Sequence, residues 1–226
     1  MAYQPIFDIQ NKTVFAQEAL VRGVNNESAY SILSKVNDEN RYRFDQACRV
    51  RAIELAARLK IDTFLSINFL PNAIYNPETC IRTTMEASEK FNFHKDRIIF
   101  EVTEGEKVED HAHLLSIIKE YKRQGIKTAI DDFGAGYSGL NLLAEFQPDY
   151  IKIDMALVRG IDKDRVRRSI IQGILYVCRE IEIKVIAEGI ETEEEFKVLK
   201  DMGINYIQGY YFCKPVFEGL GSYDFI

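Results

Sequence analysis

Two adjacent carboxylates, Asp131 and Asp132, stand where a short apolar stretch at 128–130 runs into a glycine-rich loop. The apolar stretch predicts the end of a buried strand, and Gly134 and Gly136 allow a sharp turn after it. Side chains alternate along a strand, but both carboxylates can converge on one or two cations where a strand enters such a loop. Oxygen ligands of this kind suit Mg²⁺, Ca²⁺ or Mn²⁺. The plainer alternative is that one aspartate only caps a turn.

Further polar residues come at or near the ends of other predicted strands. They are Glu18, Arg22, Asn68, Glu101, Glu104, Lys152, Asp154, Glu188 and Gln208. Any one of them alone could be a solvated or locally paired side chain, but their recurrence at successive strand ends favours one shared site. Five carboxylates facing one cavity would repel one another, and two divalent cations would neutralise most of that charge. Lys152 and Arg22 are the cationic candidates for contact with a phosphate.

Strand and helix patterns alternate about eight times along the chain. Strands are predicted at 3–9, 13–21, 63–69, 97–103, 150–154, 184–187 and 206–212, and one further strand is predicted to end at 130. Helices are predicted at 28–36, 41–59, 78–90, 110–124, 139–146, 163–181 and 192–202. This alternation predicts an α/β fold, a modified (β/α)₈ TIM-type barrel that occupies residues 1–226 as one domain. Because the turn at Asn11 and Lys12 is too short for a crossover helix, one of the first two strands should run antiparallel.

Composition narrows the class of protein. The 226 residues are 46% hydrophobic and 28% charged, which predicts one globular domain with a sizeable core. A net charge of −6 argues against binding DNA, RNA or a membrane through bulk charge. Four cysteines without a Cys-x-x-Cys pair, no spanning apolar run and no signal peptide predict a cytoplasmic protein. Met1 lies only two residues before the first predicted strand, which is compatible with a domain cut from a longer protein.

The motifs resemble those of the EAL-domain cyclic di-GMP phosphodiesterases. Glu18-Ala19-Leu20 is similar to the family signature, and the other blocks follow in family order over nearly the whole chain. These blocks are Tyr3-Gln4-Pro5, Ile67-Asn68, Phe100-Glu101 through Glu104, Asp131 through Ser138, Ile151 through Asp154, Ala187 through Thr192, and Gln208-Gly209-Tyr210. Gly23 departs from the usual Trp and Gly139 from a usual Ser. Neither departure removes a candidate ligand or Lys152.

The resemblance implies hydrolysis of cyclic di-GMP to linear pGpG with two Mg²⁺ or Mn²⁺ ions per active site, and inhibition by Ca²⁺. It implies that one ion is held by four residues and the second by three, with one aspartate shared. The first set is Glu18, Asn68, Glu101 and Asp131, and the second is Asp131, Asp132 and Glu188.

The resemblance also implies roles for side chains around the cations. Lys152 would hold the attacking water, and Glu188 is the family's proposed general base, although as a cation ligand it would only orient the nucleophile. Glu104 would position the loop after Asp132. The residues that match substrate-contacting positions are Gln4, Leu20, Arg22 and Gln208.

The same resemblance predicts a homodimer through the helix after Gly139, and control by a sensor or partner domain that is not in this sequence. Two other functions stay open. One is a non-catalytic cyclic di-GMP receptor, and the other is a scaffold that acts through a partner protein. Family members of the receptor kind usually lack one or more ligands, whereas every candidate ligand is present in this chain.

Overall fold

The structure is a computed structural model that describes residues 1–103, 111–136 and 139–223. Its strands are β1 (Ala2–Asp8), β2 (Thr13–Leu20), β3 (Phe64–Asn68), β4 (Ile98–Thr103), β5 (Lys127–Phe133), β6 (Tyr150–Ile153), β7 (Lys184–Ala187), β8 (Tyr206–Ile207) and β9 (Val216–Phe217). Its α-helices are α1 (Ala29–Leu33), α2 (Arg41–Arg58), α3 (Pro77–Phe91), α4 (His111–Arg123), α5 (Gly139–Glu145), α6 (Met155–Val158), α7 (Arg165–Glu180) and α8 (Glu193–Asp201).

Strands β1 to β8 form a closed barrel. β2 to β8 pair in parallel with their sequence neighbours, and β1 closes the ring, antiparallel to both β2 and β8. The predicted modified TIM-type barrel with one antiparallel strand is therefore confirmed. β9 lies outside the ring and pairs with Ala2 and Tyr3, the part of β1 that the short β8 does not reach. Because β1 is reversed, its first residues lie at the rim where the other strands end.

Several predicted elements differ in length from those observed. The strand expected to end at 130 continues to Phe133, and the helix predicted at 28–36 spans only Ala29–Leu33. The helix predicted at 163–181 begins at Arg165, because the Asp164 side chain accepts hydrogen bonds from two backbone amides of the first turn. The strand predicted at 206–212 has only two residues. After Gln208 the chain turns: Gly209 lies so close to Ile190 that an added Cβ would be 2.0 Å from the Ile190 carbonyl oxygen. The patterns used for the prediction also miss α6 and β9, which are very short.

The core has an outer and an inner part. The outer part lies between the helices and the barrel wall. The inner part is an apolar cluster inside the barrel, at the end opposite the rim, and we call it the floor. It consists of Ile6, Ala16, Ile99, Ala129, Tyr150 and Ile186, with Phe15, Phe64 and Tyr206 packed against them. Burial of each large apolar side chain stabilises the fold by roughly 1.5–3 kcal/mol.

No helix within the described residues is both long enough and apolar enough to cross a lipid bilayer.

Candidate active site

The charged side chains at the carboxyl ends of the strands form the rim, and most of them stand two residues after a floor residue. Glu188 follows Ile186 on this spacing, and Lys152 follows Tyr150. Residues two apart on a strand share a face, so both layers point into the barrel. Four of the charged rim residues are buried: Glu101 and Lys152 are 1% exposed, Glu18 is 5% and Asp131 is 9%. Because side chains alternate along each strand, these charged groups point into the barrel.

A bulge explains how two adjacent aspartates reach the same place. The β5–β6 pairing shifts register between Ile130 and Phe133, so that Asp131 and Asp132 together oppose Lys152. Asp132 also has a left-handed backbone with φ of 54°, a conformation that Asp tolerates better than most residues. The bulge turns the Asp132 carboxylate back toward the rim instead of the opposite face of the sheet. The expected convergence of the two carboxylates is thus produced by backbone geometry.

The carboxylates form two groups that share Asp131. Ligand atoms of Glu18, Glu101 and Asp131 all lie within 4.8 Å of one another, and so do those of Asp131, Asp132 and Glu188. Asn68 adjoins the first group, where its Nδ2 donates a 3.3 Å hydrogen bond to Glu18 Oε1.

Lys152 lies at the centre of the rim. Its Nζ is 2.6 Å from Glu188 Oε1, 2.9 Å from Glu101 Oε2, 3.1 Å from Asp131 Oδ1 and 3.4 Å from Glu18 Oε1. Burial by itself would lower the pKa of Lys152, but Asp131, Glu101 and the other carboxylates raise it well above its ordinary value. The ammonium therefore stays charged at neutral pH and cannot act as a base.

One ammonium does not balance the surrounding carboxylates. The pKa of Glu101 is raised to about 8, mainly by burial and in part by the charges of Glu18 and Asp131, against the opposing charge of Lys152. Burial, followed by the charge of Asp131, raises the pKa of Glu188 well above its ordinary value. The pKa of Asp132 rises to about 6, first through burial and then through Asp131. These shifts record an excess of negative charge in a confined space.

The donor set fits divalent cations. Carboxylate oxygens within reach of a common point are the ligands that Mg²⁺ and Mn²⁺ prefer. Glu188 Oε1 is buried and makes no hydrogen bond in this structure, although it lies close to the Lys152 ammonium. This ammonium is shared among four carboxylates, and a cation would relieve both that shortage of positive charge and the raised carboxyl pKa values.

The residues expected to contact substrate lie around the same rim. Gln208 Nε2 donates a 2.8 Å hydrogen bond to Glu18 Oε2, and Gln4, on the reversed β1, donates to the Cys213 carbonyl at 3.1 Å. Leu20 is the last residue of β2. Glu18, Leu20, Asn68 and Asp131 also border a cavity of about 270 Å³ that opens beside the carboxylates. The cavity and the charged groups therefore form one continuous site.

The second strand ends one residue earlier than predicted, so Arg22 does not directly follow it. β2 ends at Leu20 because its partner on β1, Ala2, begins that strand, so no pairing continues to Arg22. Arg22 stands in the following loop, half-buried, and its Nη1 donates a 2.7 Å hydrogen bond to the Val21 carbonyl. The guanidinium is therefore near the cavity but is not held by the sheet.

Two further predicted residues, Glu104 and Asp154, are not part of the carboxylate groups described above. Glu104 lies outside the described residues. Asp154, which the sequence places at the rim, caps α6 by accepting a hydrogen bond from the Ala156 amide at 2.8 Å. Ser66, a fully buried residue on β3, was not among the predicted site residues, and its Oγ donates to Glu101 Oε1. Its position two residues before Asn68 is the signal that could have found it.

The fold and the rim define a class of protein: a TIM-type barrel with an acidic site for divalent cations at the carboxyl ends of its strands. The family model described as "EAL domain" matches residues 1–215. The chain belongs to the EAL domain family.

Solved structures agree with this assignment. The standalone versatile EAL protein of Vibrio cholerae O395, solved in its c-di-GMP bound form, is 55% identical with a TM-score of 0.96, over 99% of this chain and 94% of that one. Klebsiella pneumoniae BlrP1, solved as a manganese and cyclic di-GMP complex, is 37% identical with a TM-score of 0.92, over 97% of this chain and 56% of that one.

Curated relatives include proteins of different function. The blue light- and temperature-regulated antirepressor BluF of Escherichia coli K12 is 34% identical over 98% of this chain and 55% of its own length. The cyclic di-GMP phosphodiesterase PdeR of the same organism is 37% identical over 62% of this chain and 21% of its own length. The chain thus spans about half or less of the length of these relatives, and family membership alone does not decide between their activities.

Proposed function

We propose that this chain hydrolyses cyclic di-GMP to linear pGpG in a reaction that depends on Mg²⁺ or Mn²⁺. The observation that carries the proposal is that Asp131 belongs to two carboxylate groups arranged around one buried lysine. Such a pair of groups is what a two-cation site for attack at a phosphodiester requires. The cyclic di-GMP complexes of structural relatives support the choice of substrate.

We assign the first cation to Glu18, Asn68, Glu101 and Asp131, and the second to Asp131, Asp132 and Glu188. Two divalent ions bound there would supply Lewis-acid activation of a water and stabilisation of the leaving oxygen.

Lys152 and Glu188 have complementary roles in the proposed reaction. Lys152 stays protonated, so it donates hydrogen bonds to the attacking water and offsets charge that develops at the phosphate. Glu188 Oε1 lies 2.6 Å from the Lys152 ammonium, so its carboxylate stands beside the same water, and we assign it as the proton acceptor.

Substrate contacts are assigned to Gln4, Leu20, Arg22 and Gln208. The Arg22 guanidinium is engaged only by its neighbour's carbonyl among the contacts of the described chain, so it can turn to a phosphate and bind two oxygens at once. Leu20 offers an apolar surface beside the cavity for a base. Glu104 keeps its expected role in holding the loop after Asp132 as part of the proposal.

The test is direct. The purified protein is incubated with cyclic di-GMP and Mg²⁺, and the products are separated by chromatography. We expect pGpG with Mg²⁺ or Mn²⁺, none in excess chelator, and no recovery with Ca²⁺. Full activity in excess chelator would contradict the two-cation proposal.

A second candidate function is a non-enzymatic one, in which the domain binds cyclic di-GMP or a partner protein without turnover. It is favoured by the antirepressor among the relatives, which aligns over almost the whole chain. Binding measured by calorimetry without any pGpG formation would support a receptor. Absence of both binding and turnover would support a scaffold.

The proposal includes a cytoplasmic homodimer controlled by a separate sensor domain. Exposed apolar side chains on α5 and α7, Leu140 and Ile170, border a groove of about 570 Å³ that is also lined by Gly134 and Leu157. A second copy of the chain is the proposed occupant, in line with the family resemblance of the α5 region. Light scattering should report a dimer for the wild type and a monomer for Ile170→Asp. A wild-type monomer at micromolar concentration would contradict it.

A further inference from the structure

A buried ion pair joins helix α2 to the outer wall of the barrel. Arg49 and Asp45 lie four residues apart, with Arg49 Nη2 2.8 Å from Asp45 Oδ2, and neither side chain is more than 2% exposed. Arg49 Nη1 also donates a 2.9 Å hydrogen bond to the hydroxyl of Tyr121 on α4. The proposed reaction uses none of these three side chains.

The ion pair is attached to the segment that carries Asn68. Asp45 Oδ1 accepts a 3.0 Å hydrogen bond from the backbone amide of Leu70, two residues after Asn68. Between them, the amide of Phe69 donates to the Glu101 carbonyl at 3.0 Å, and Asn68 is the pairing partner of Glu101 in the β3–β4 register. One carboxylate on α2 therefore fixes the chain next to two candidate ligands.

Aromatic rings enclose the guanidinium behind the same two ligands. Arg49 Cζ lies 4.7 Å from the ring centroid of Phe100 and 5.6 Å from that of Phe69. Phe100 directly precedes Glu101, and Phe69 directly follows Asn68. Because neighbouring side chains on a strand point to opposite faces, the rings pack outside the wall that presents the ligands inside.

A buried ion pair is not the simplest way to fill this space. Apolar side chains of the same volume often stabilise a core as well or better, because two charges must be removed from water. What the guanidinium adds is a rigid plane that fixes several partners in defined directions. We propose that Asp45 and Arg49 are positioning residues that hold Asn68 and Glu101 at the spacing the first cation requires. This inference rests on the cation ligands assigned in the proposed function.

The experiment measures Mn²⁺ binding, followed by the electron paramagnetic resonance signal of the free ion, in the full chain. Arg49→Lys keeps the buried charge but loses the planar fork. We expect the affinity for at least one of the two ions to fall by about tenfold, with turnover at saturating Mn²⁺ within about threefold of wild type. Tyr121→Phe removes only one hydroxyl, should fold normally, and should weaken Mn²⁺ binding by about threefold.

The matched control is Leu55→Ala, a cavity variant of a fully buried residue further along α2. It should lower the melting temperature at least as far as Arg49→Lys while binding Mn²⁺ like the wild type. Wild-type Mn²⁺ affinity in folded Arg49→Lys and Tyr121→Phe would overturn the positioning role, as would an equal loss in Leu55→Ala. Failure of the wild type to hydrolyse cyclic di-GMP would count against the proposed function alone, since the Mn²⁺ affinities are measured independently of turnover.

Discussion

The floor and the rim of the barrel are built from the same strands. Both layers face the barrel interior, and the rim residue comes two positions after the floor residue. Five strands place an apolar or aromatic residue in the floor and a charged residue two positions later in the rim. The pairs are Ala16 and Glu18, Ile99 and Glu101, Ala129 and Asp131, Tyr150 and Lys152, and Ile186 and Glu188. Burial of the floor side chains stabilises the folded state. In the rim, carboxylates are held close together, and they raise one another's pKa values. Stability and chemistry are therefore separated along each strand.

Each layer also receives one extra side chain from a bulge. In the floor, the β1–β2 register shifts beside Phe15, and its ring packs 4.4 Å from Tyr206 and 5.2 Å from Phe64, centroid to centroid. In the rim, the shift on β5 adds the Asp132 carboxylate. The same backbone device thus closes one end of the barrel with an aromatic ring and equips the other end with a ligand.

The largest effect should come from Asp131, the residue shared by both carboxylate groups. Asp131→Asn keeps the shape of the side chain and removes its charge, so both proposed cations lose a negatively charged ligand. We expect cyclic di-GMP turnover to fall by about 10³-fold with the fold intact. The matched control is Asp149→Asn, the same change at the floor end, where Asp149 pairs with Lys127 at 2.8 Å. That variant should lose some stability and keep its activity; near-normal turnover in Asp131→Asn would contradict the assignment.

Ile186 on β7 and Glu188, the residue just after that strand, should separate the effects of the floor and the rim. Glu188→Gln should lower turnover by about 10²-fold, because it removes the proposed proton acceptor, without lowering the melting temperature of the cation-free protein. Ile186→Ala should lower the free energy of unfolding by about 2–4 kcal/mol through a floor cavity, with turnover per folded molecule unchanged. Denaturant unfolding and product chromatography measure both. Equal loss of activity in the two variants would mean that the layers are not independent.

The rim should make the cation-free protein less stable as pH rises. Glu101 and Asp132 bind their protons more tightly in the folded chain, with pKa values of about 8 and about 6, than in the unfolded chain. The stability that they contribute is fully present below a pH of about 4.5 and is lost as the pH rises through the folded values. We expect the melting temperature in chelator to fall by a few degrees between pH 6 and 8.5.

Divalent cations should reverse this loss. Cation binding favours the ionised carboxylates, so the stabilisation by Mg²⁺ should be larger at pH 8.5 than at pH 6. Asp131→Asn serves as the control, since it removes a ligand and should respond less to Mg²⁺ at either pH. A melting temperature in chelator that rises between pH 6 and 8.5 would contradict the raised pKa values.

Sequence patterns predict the barrel and most of its rim because both follow from local periodicity. Alternating strand and helix patterns require only neighbours along the chain, and strand ends mark the rim. The parts that were not predicted depend on contacts between distant residues. The two-residue length of β8 reflects the close approach of Gly209 to Ile190, and the left-handed backbone of Asp132 depends on pairing with β6. The spacing of Ser66 from Asn68 places it inside the barrel, but its role depends on Glu101, a partner 35 residues away in the sequence.

Ser66 should give the smallest effect and the finest test of the two-layer arrangement. It lies between the floor residue Phe64 and the rim residue Asn68 on β3, and its hydroxyl donates to Glu101. Ser66→Ala leaves Glu101 in place with one donor fewer, so its orientation toward the first cation is less well held. We expect turnover at limiting Mg²⁺ to fall by about fivefold, roughly 1 kcal/mol, and to recover in part at high Mg²⁺. Ser88→Ala is the control: that buried serine donates to the Phe93 carbonyl, away from the barrel interior, so its loss should lower stability alone. If both variants keep wild-type turnover at limiting Mg²⁺, then the Ser66 hydroxyl does not contribute to the cation site. The boundary between floor and rim on β3 would then lie between Ser66 and Asn68.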